Sequence, residues 1–589
     1  MPPSIEESIG VPLEPRISNN KHYEPLKKFQ KDDQHHVEDL RTTPNSKAQV
    51  LVLIPSLTYV VYMNRALKNI LLTLIFDWTM PLFSPFNFLL LITLFPTLIV
   101  AVVALEFALH IGFKFGLDSV IQRIGDKWGE GLSPVNWWDP RIFTSEVDEI
   151  VKDGIKSLDA PLPLLLPEEE LDDSIFEGAM EHRGFNLDMA ELLLFMSSII
   201  YERNNELVKD AHKVLNKLSK GKKPRDNSEE DQLINSVTTL LKQSETRIHE
   251  QARRWGIKFT SLSELNSLGG PFSGMFWSEE HDFIVVVFKG TNPSNFEDFV
   301  IDLMFQRVDA RSFVFGEVHE GFYTALFPQE GTAARASRAS PYITMIRAIR
   351  AKAADIRAVH PSDRPINVWI TGHSLGAALA SLFYARLLKS TNDLGPNCIL
   401  RDGYMFGSPS VGDADFAAEF ASYANTPYDR QSTLWRIIDD KDIITKIPPG
   451  WNDPTIRRLV NRNSILNYAH IGEGIRFFQS GAEPAPTKNL FSSGKTPVII
   501  DLGPENNNNF GKGEGKKYML RKDVFHGREK FEQLTGSPLV MIENLLPTFF
   551  RDHLPARYFS VLQKARRYFD DDIVVEEDNN LVKIPSKKN

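Results

Sequence analysis

Cysteine is nearly absent from this chain: Cys398 is the only one among 589 residues. No intramolecular disulfide can form, so an oxidising compartment has left no mark on the sequence. Acceptor sites for N-linked glycans are missing as well, since Asn292 is followed by Pro293. Basic residues are not in excess. A net charge of -9 gives no support for nucleic-acid binding, which wants a basic face. Residues 1–47 carry mixed charge and no apolar core of a secretory signal. The pair His35-His36 in that stretch has no third ligand nearby and reads as solvated. No metal-ligand spacing, phosphate-cradling glycine loop or dinucleotide fingerprint occurs, so neither metal nor cofactor is expected. The missing disulfides, glycan sites and signal core together predict a main domain that faces the cytosol.

Charge is also missing from one long stretch. From Phe86 to Leu105 the chain reads FNFLLLITLFPTLIVAVVAL. About 20 such residues cross a hydrocarbon core, and Pro96 is compatible with a membrane helix. A shorter apolar arm, Ile70–Phe76, precedes it, followed by Asp77 and the prolines Pro81 and Pro85. Two arrangements fit: a single span over about 86–108, or a hairpin with 66–80 that turns near Ser84. A buried core helix is the alternative to both. Lys114, Arg123 and Lys127 after the span slightly outweigh Arg65 and Lys68 before it, which places the C-terminal side in the cytosol. The region 48–117 is therefore expected to be a membrane anchor, behind a disordered tail over 1–47.

Residues 118–186 read as a polar connector with an acidic run at Glu168-Glu169-Glu170. The domain expected over 187–569 begins with a helical pattern from Leu187 to Tyr201. A charged helical pair over about 205–254 reads as a peripheral insertion, and a Gly/Asn/Lys-rich stretch over about 489–527 as a surface loop. The charged end, 570–589, reads as disordered. Strand patterns stand at Phe272–Trp277, Phe283–Phe288, Ile366–Thr371, Gly403–Phe406 and Leu434–Ile438, and a long helix runs from Pro341 to Val359. Strands alternating with helices predict an α/β fold: a mostly parallel central sheet flanked by helices. Ligands in such sheets sit beyond the carboxyl ends of the strands.

One of those ends carries Gly372-His373-Ser374-Leu375-Gly376, between the apolar run Ile366–Thr371 and the small-residue run Ala377–Leu382. Strand, G-x-S-x-G and helix are the parts of a nucleophile elbow. The turn is too sharp for bulky neighbours, and the following helix points its positive end at the serine. A serine hydroxyl needs a base, and the base needs an orienting carboxylate. Beyond Ser374 the acidic loop offers Asp439, Asp440 and Asp442; the histidines after it are His470, His526 and His553. Chemistry alone leaves that choice open.

Several ordered motifs resemble the class 3 lipase family, the fungal-type triacylglycerol lipases with an α/β-hydrolase fold. Thr371–Ala378 is similar to the family elbow. Val287-Phe288-Lys289-Gly290-Thr291 is similar to its oxyanion strand, with Lys289 where arginine is commoner. Val318–Phe322, Phe406–Asp413, Asp442–Pro449, Tyr468–Gly472 and Asp552-His553-Leu554 with Tyr558 resemble further family segments in the family's order. Thr445 stands where the family usually has proline. The resemblance spans about Leu187 to Leu562. It implies a triad of Ser374, Asp442 and His553, with Asp439 and Asp440 as other acids; it gives His470 a structural place. It implies an oxyanion hole from the backbone N–H groups of Thr291 and Leu375, with the Thr291 hydroxyl as a third donor. Phe296, Phe299, Val300 and Leu303 fall at i, i+3, i+4 and i+7 in Ser294–Met304, so an amphipathic lid helix is expected there. The implied activity is hydrolysis of glycerolipid acyl esters, triacylglycerol first, at a membrane or lipid-droplet surface. A phospholipase or a mono- or diacylglycerol lipase is the enzymatic alternative, and an inactive lipase-like scaffold that binds lipids or partners the other. The endoplasmic reticulum and the lipid droplet suit such an anchor.

Overall fold

Branched and aromatic residues fill the strands that build the centre of the molecule. Phe283–Lys289 (FIVVVFK) and Ile366–His373 (INVWITGH) are buried at every position. Continuous apolar runs of this kind fit strands covered on both faces. The computed structural model describes most of residues 132–160, 183–290, 306–487 and 551–571, with scattered positions between 67 and 123 and short pieces at 498–501, 573–575 and 581–583. All of these belong to one compact unit, residues 63–589.

Eight strands form the main sheet: β1 (Lys258–Glu264), β2 (Phe272–Trp277), β3 (Phe283–Lys289), β4 (Ile366–His373), β5 (Cys398–Phe406), β6 (Leu434–Asp439), β7 (Glu473–Phe477) and β8 (Ala485–Thr487). Their order in space follows their order in the chain. β3 to β7 run parallel, while β1, β2 and β8 pair antiparallel at the two edges. The sheet is thus mixed, with a parallel centre where a mostly parallel sheet is expected. Val285 lies opposite Trp369 and Thr371 opposite Tyr404.

Strand pleating divides the core in two. Ile284, Val286, Phe288, Val368 and Ile370 face one apolar cluster. Helices α6 (Glu320–Leu326), α7 (Pro341–Val359), α8 (Leu375–Lys389) and α9 (Ala414–Asn425) contribute to it. Phe283, Val285, Val287 and Trp369 face the other cluster, built with α1 (Ser145–Leu158), α2 (Leu187–Ile199), α5 (Thr246–Arg254) and α10 (Pro555–Asp571). Two further helices, α3 (Asn205–Lys220) and α4 (Asn227–Ser244), pack against each other.

Three stretches differ from expectation. The polar connector contributes α1, whose Val147, Val151, Ile155 and Leu158 are buried. Their spacing of four, four and three makes one apolar stripe, and each such side chain buried stabilises the fold by about 1.5–3 kcal/mol. Leu158 also gives its carbonyl to the side chains of Asn367 and Trp369, at 2.9 and 3.0 Å. The stretch 205–254 holds three helices rather than a pair, and the third, α5, buries Ile248, Gln251 and Ala252. Within the predicted surface loop, Val498–Asp501 pairs parallel with Arg183–Asn186.

Among the described residues no helix is long and apolar enough to cross a membrane. The expected span over 86–108 and its hairpin partner over 66–80 lie largely outside the described residues, apart from two short helices, Met80–Phe83 and Pro85–Leu89, and scattered positions.

Candidate active site

β4 delivers Ser374 to the carboxyl end of the sheet, and α8 begins one residue later. The serine backbone sits at φ 60°, ψ -131°, the only positive φ outside glycine among the described residues. Such a conformation costs about 1–3 kcal/mol and persists only where its surroundings impose it. Here the Ser374 N–H donates to Phe406 O at 2.9 Å, and Ser374 O accepts from Ala377 and Ala378 at 2.9 and 3.2 Å. The two glycines of the motif are required by space. A Cβ on Gly372 would meet Gly376 O at 2.5 Å, and one on Gly376 would meet Phe288 O at 2.2 Å. Leu375 opens the helix, so its N–H has no intrahelical acceptor and is available at the positive end of the dipole.

His553 enters from the turn before α10. Its Nδ1 lies 2.7 Å from Asp442 Oδ2, and Asp442 is wholly buried in the loop after β6. A carboxylate oxygen accepts, so Nδ1 carries the proton and Nε2 is the basic nitrogen. Nε2 is buried and has no hydrogen-bond partner among the described residues. Asp442 is held from two further sides. Its Oδ1 accepts the Ile444 N–H at 2.8 Å, and its Oδ2 accepts the Tyr558 hydroxyl at 2.5 Å. Burial and the Asp442 charge raise the Tyr558 pKa well above the usual tyrosine value, so the phenol stays neutral and donates. Thr445 steadies the same turn by donating to Asp442 O at 2.8 Å.

The other candidates stand elsewhere. His470 is buried, and its Nε2 lies 2.8 Å from Thr445 O, beneath the acid loop. Burial first, then Arg436, pushes its pKa well below the usual histidine value. Asp439 is buried at the end of β6, where burial raises its carboxyl to about 6. Asp440 faces Arg476 at 3.6 Å. His526, Thr291 and the lid positions Phe296, Phe299, Val300 and Leu303 lie outside the described residues.

Two residues that the sequence leaves unassigned shape the site. Gly407 has φ +61°, and a Cβ there would stand 2.8 Å from His553 Cε1 and 3.1 Å from Asp442 Oδ2. A glycine ending a strand inside a G-S-P turn is the signal that could have found it. His373, the residue before Ser374, sets its ring 4.8 Å from that of His553 at a tilt of 35° and places Nε2 2.7 Å from His553 O. The strained serine turn and the imidazole are therefore in direct contact through His373. His553 Nε2 makes no hydrogen bond to Ser374 Oγ; a buried basic nitrogen close to an elbow serine can accept the proton of an attacking hydroxyl once the two meet.

Residues 285–451 match the family described as Lipase (class 3). Over 189 residues, 29% of its length, the chain is 26% identical to the triacylglycerol lipase OBL1 of Arabidopsis thaliana. Over 87 residues, 15% of its length, it is 38% identical to the chloroplastic phospholipase A(1) DAD1 of the same plant. These matches span only 35% of the first relative and 17% of the second. Among solved structures, the Rhizomucor miehei lipase propeptide complex is similar at 22% identity and a TM-score of 0.27, over 42% of this chain and 65% of that one. The Penicillium expansum triacylglycerol lipase is similar at 16% identity and 0.28, over 42% and 82%.

Proposed function

We propose that the chain, whose residues 285–451 match the class 3 lipase family, is a serine hydrolase of glycerolipid acyl esters, triacylglycerol foremost. Ser374 Oγ attacks the ester carbonyl while His553 Nε2 takes its proton. Asp442 fixes the imidazole and stabilises the cation that forms. The oxyanion is met by the N–H of Leu375 and by Thr291, each donor contributing about 3–4 kcal/mol to the transition state. His553 then protonates the leaving alcohol, and water, activated by the same imidazole, releases the acyl group from Ser374. The observation that carries this reading is the 2.7 Å contact between His553 Nδ1 and Asp442, which leaves Nε2 buried and unpaired beside the serine turn.

The substrate is insoluble, so the enzyme works at a lipid surface. Leu67, Leu71, Ile75, Leu82 and Val100 are exposed, an arrangement that suits hydrocarbon better than water. Thr93 and Thr97 turn their hydroxyls onto the carbonyls four residues back, at 2.6 and 2.7 Å, which hides polar groups in the same region. These observations support the anchor over 48–117; the cytosolic placement of the catalytic domain rests on the sequence alone. The apolar spacing of Phe296, Phe299, Val300 and Leu303 in the sequence supports a lid role for residues 294–304. Similarity to a phospholipase A(1) supports a second reading, cleavage of phospholipid acyl esters on the same residues. Hydrolysis of tri-, di- and monoacylglycerols and of phospholipid vesicles by the full chain, with Ser374→Ala as control, tests both. Release of fatty acid from neither substrate class would leave the scaffold.

A further inference from the structure

Tyr201 is 172 residues from His373 in sequence and lies in the turn after α2; yet its hydroxyl lies 3.0 Å from His373 Nδ1 and 3.2 Å from His373 O. The direction of each proton in this contact follows from its neighbours. His373 Nε2 lies 2.7 Å from a carbonyl, His553 O, which can only accept, so Nε2 carries a hydrogen. Burial, and then the neighbouring His553, push the His373 pKa well below the usual value, so the ring is neutral and has that single N–H. Its Nδ1 is therefore a bare lone pair and must accept. Burial also raises the Tyr201 pKa far above the usual value, so the phenol keeps its proton and donates it, to His373 Nδ1 as the nearer acceptor and to His373 O as the farther one. Tyr201 Oη in turn sits against the Gly290 amide, at the end of the strand that leads to Thr291; a Cβ on Gly290 would be 2.4 Å from it and 2.6 Å from His373 O.

We propose that Tyr201 is a positioning residue: its hydroxyl fixes the tautomer and plane of His373, whose Nε2–H then holds the main chain of His553 so that the base meets Ser374. This rests on the proposed hydrolase mechanism. Tyr201 carries no proton to or from substrate. It acts at a distance of two hydrogen bonds, Tyr201 to His373 and His373 to His553, and it locks the elbow to the end of β3 at the same time. Hydrogen bonds in such a chain polarise one another and orient the last acceptor. A base misplaced by about 1 Å costs on the order of 10²-fold in rate, so loss of one link is visible in turnover even where the fold survives.

The test uses the full chain in detergent with a soluble p-nitrophenyl ester. A fluorophosphonate titrates active sites, so turnover is read per competent site. Tyr201→Phe keeps the ring and removes the hydroxyl. It is expected to lower kcat per titrated site about tenfold, with KM within about twofold because the residue does not touch substrate. A purely structural role would lower the number of titratable sites and leave kcat per site alone. Tyr201→Phe combined with His373→Leu is expected to be no slower than His373→Leu alone, since both break one path. His373→Gln, which can still donate to His553 O, is expected to keep more activity than His373→Leu. Wild-type kcat in Tyr201→Phe, losses that multiply in the double variant, or equal rates for Gln and Leu would each overturn the proposal. A wild-type chain that takes no fluorophosphonate and turns over no ester sinks the hydrolase reading itself, and this one with it.

Discussion

Tyr558 and His553 share one acceptor: the Tyr558 hydroxyl reaches Asp442 Oδ2 at 2.5 Å and His553 Nδ1 reaches the same oxygen at 2.7 Å. Oδ2 of the buried carboxylate thereby has a second donor besides His553, while Oδ1 keeps the Ile444 N–H. Removing the phenol withdraws a hydrogen bond to a charged group, worth about 1.5–3 kcal/mol. Tyr558→Phe should lower the thermal midpoint and reduce kcat several-fold while leaving KM near the wild-type value. Melting and steady-state kinetics on one preparation check this; wild-type stability would mean that the contact contributes nothing net.

Gly407 should be far less replaceable than its sequence context suggests. Alanine there meets His553 Cε1 at 2.8 Å and a positive φ of +61°. Gly256 has φ +77°, and a Cβ added there would meet nothing within 4 Å. Both Gly407→Ala and Gly256→Ala incur backbone strain of about 1–3 kcal/mol. Only the first should displace the base and abolish most turnover per folded molecule. Circular dichroism sets the folded fraction, and equal specific activities would refute the assignment of Gly407 to the site.

The stability of the fold should carry the signature of Asp439. Burial lifts its carboxyl from 3.8 to about 6 in the folded chain. Between those values the folded state holds a proton that the unfolded chain has released. The stability it contributes is full below the unfolded value and is lost as pH rises through the folded one. The loss is on the order of 3 kcal/mol. Asp439→Asn lacks this slope, so it should gain on the wild type between pH 4 and pH 8. Urea unfolding at both ends measures it, and a pH-independent difference would contradict it.

Membrane association should depend on the apolar N-terminal region. A chain lacking residues 48–112 is expected to move from the membrane pellet to the supernatant and to keep its activity on a soluble ester. Unchanged recovery in the pellet would place the attachment in the catalytic domain instead.

Much of the centre is legible in the sequence because its signals are local. The run Ile366–Thr371, the two close-packed glycines around Ser374 and the small-residue start of α8 lie within one short stretch of chain. The apolar strand Phe283–Lys289 and the helix Pro341–Val359 are equally self-contained. Strands β1 and β7 escape a sequence reading, since the half-exposed pattern of the first and the five-residue length of the second give weak signals. Helix α1 is hidden by the polar composition around it. The contacts Tyr201–His373 and His373–His553 join residues 172 and 180 positions apart, and no local pattern encodes such pairings. His470 and His553 can be told apart in sequence only by resemblance; geometry separates them by what each ring nitrogen meets.

The account depends on one hydroxyl and one imidazole acting together, and covalent labelling reads that directly. The full chain treated with a fluorophosphonate should gain the mass of a single phosphonyl group, mapped by peptide sequencing to Ser374. The label should be absent in Ser374→Ala and slowed by orders of magnitude in His553→Ala. Label on another residue, or undiminished labelling of Ser374 without His553, would contradict the mechanism.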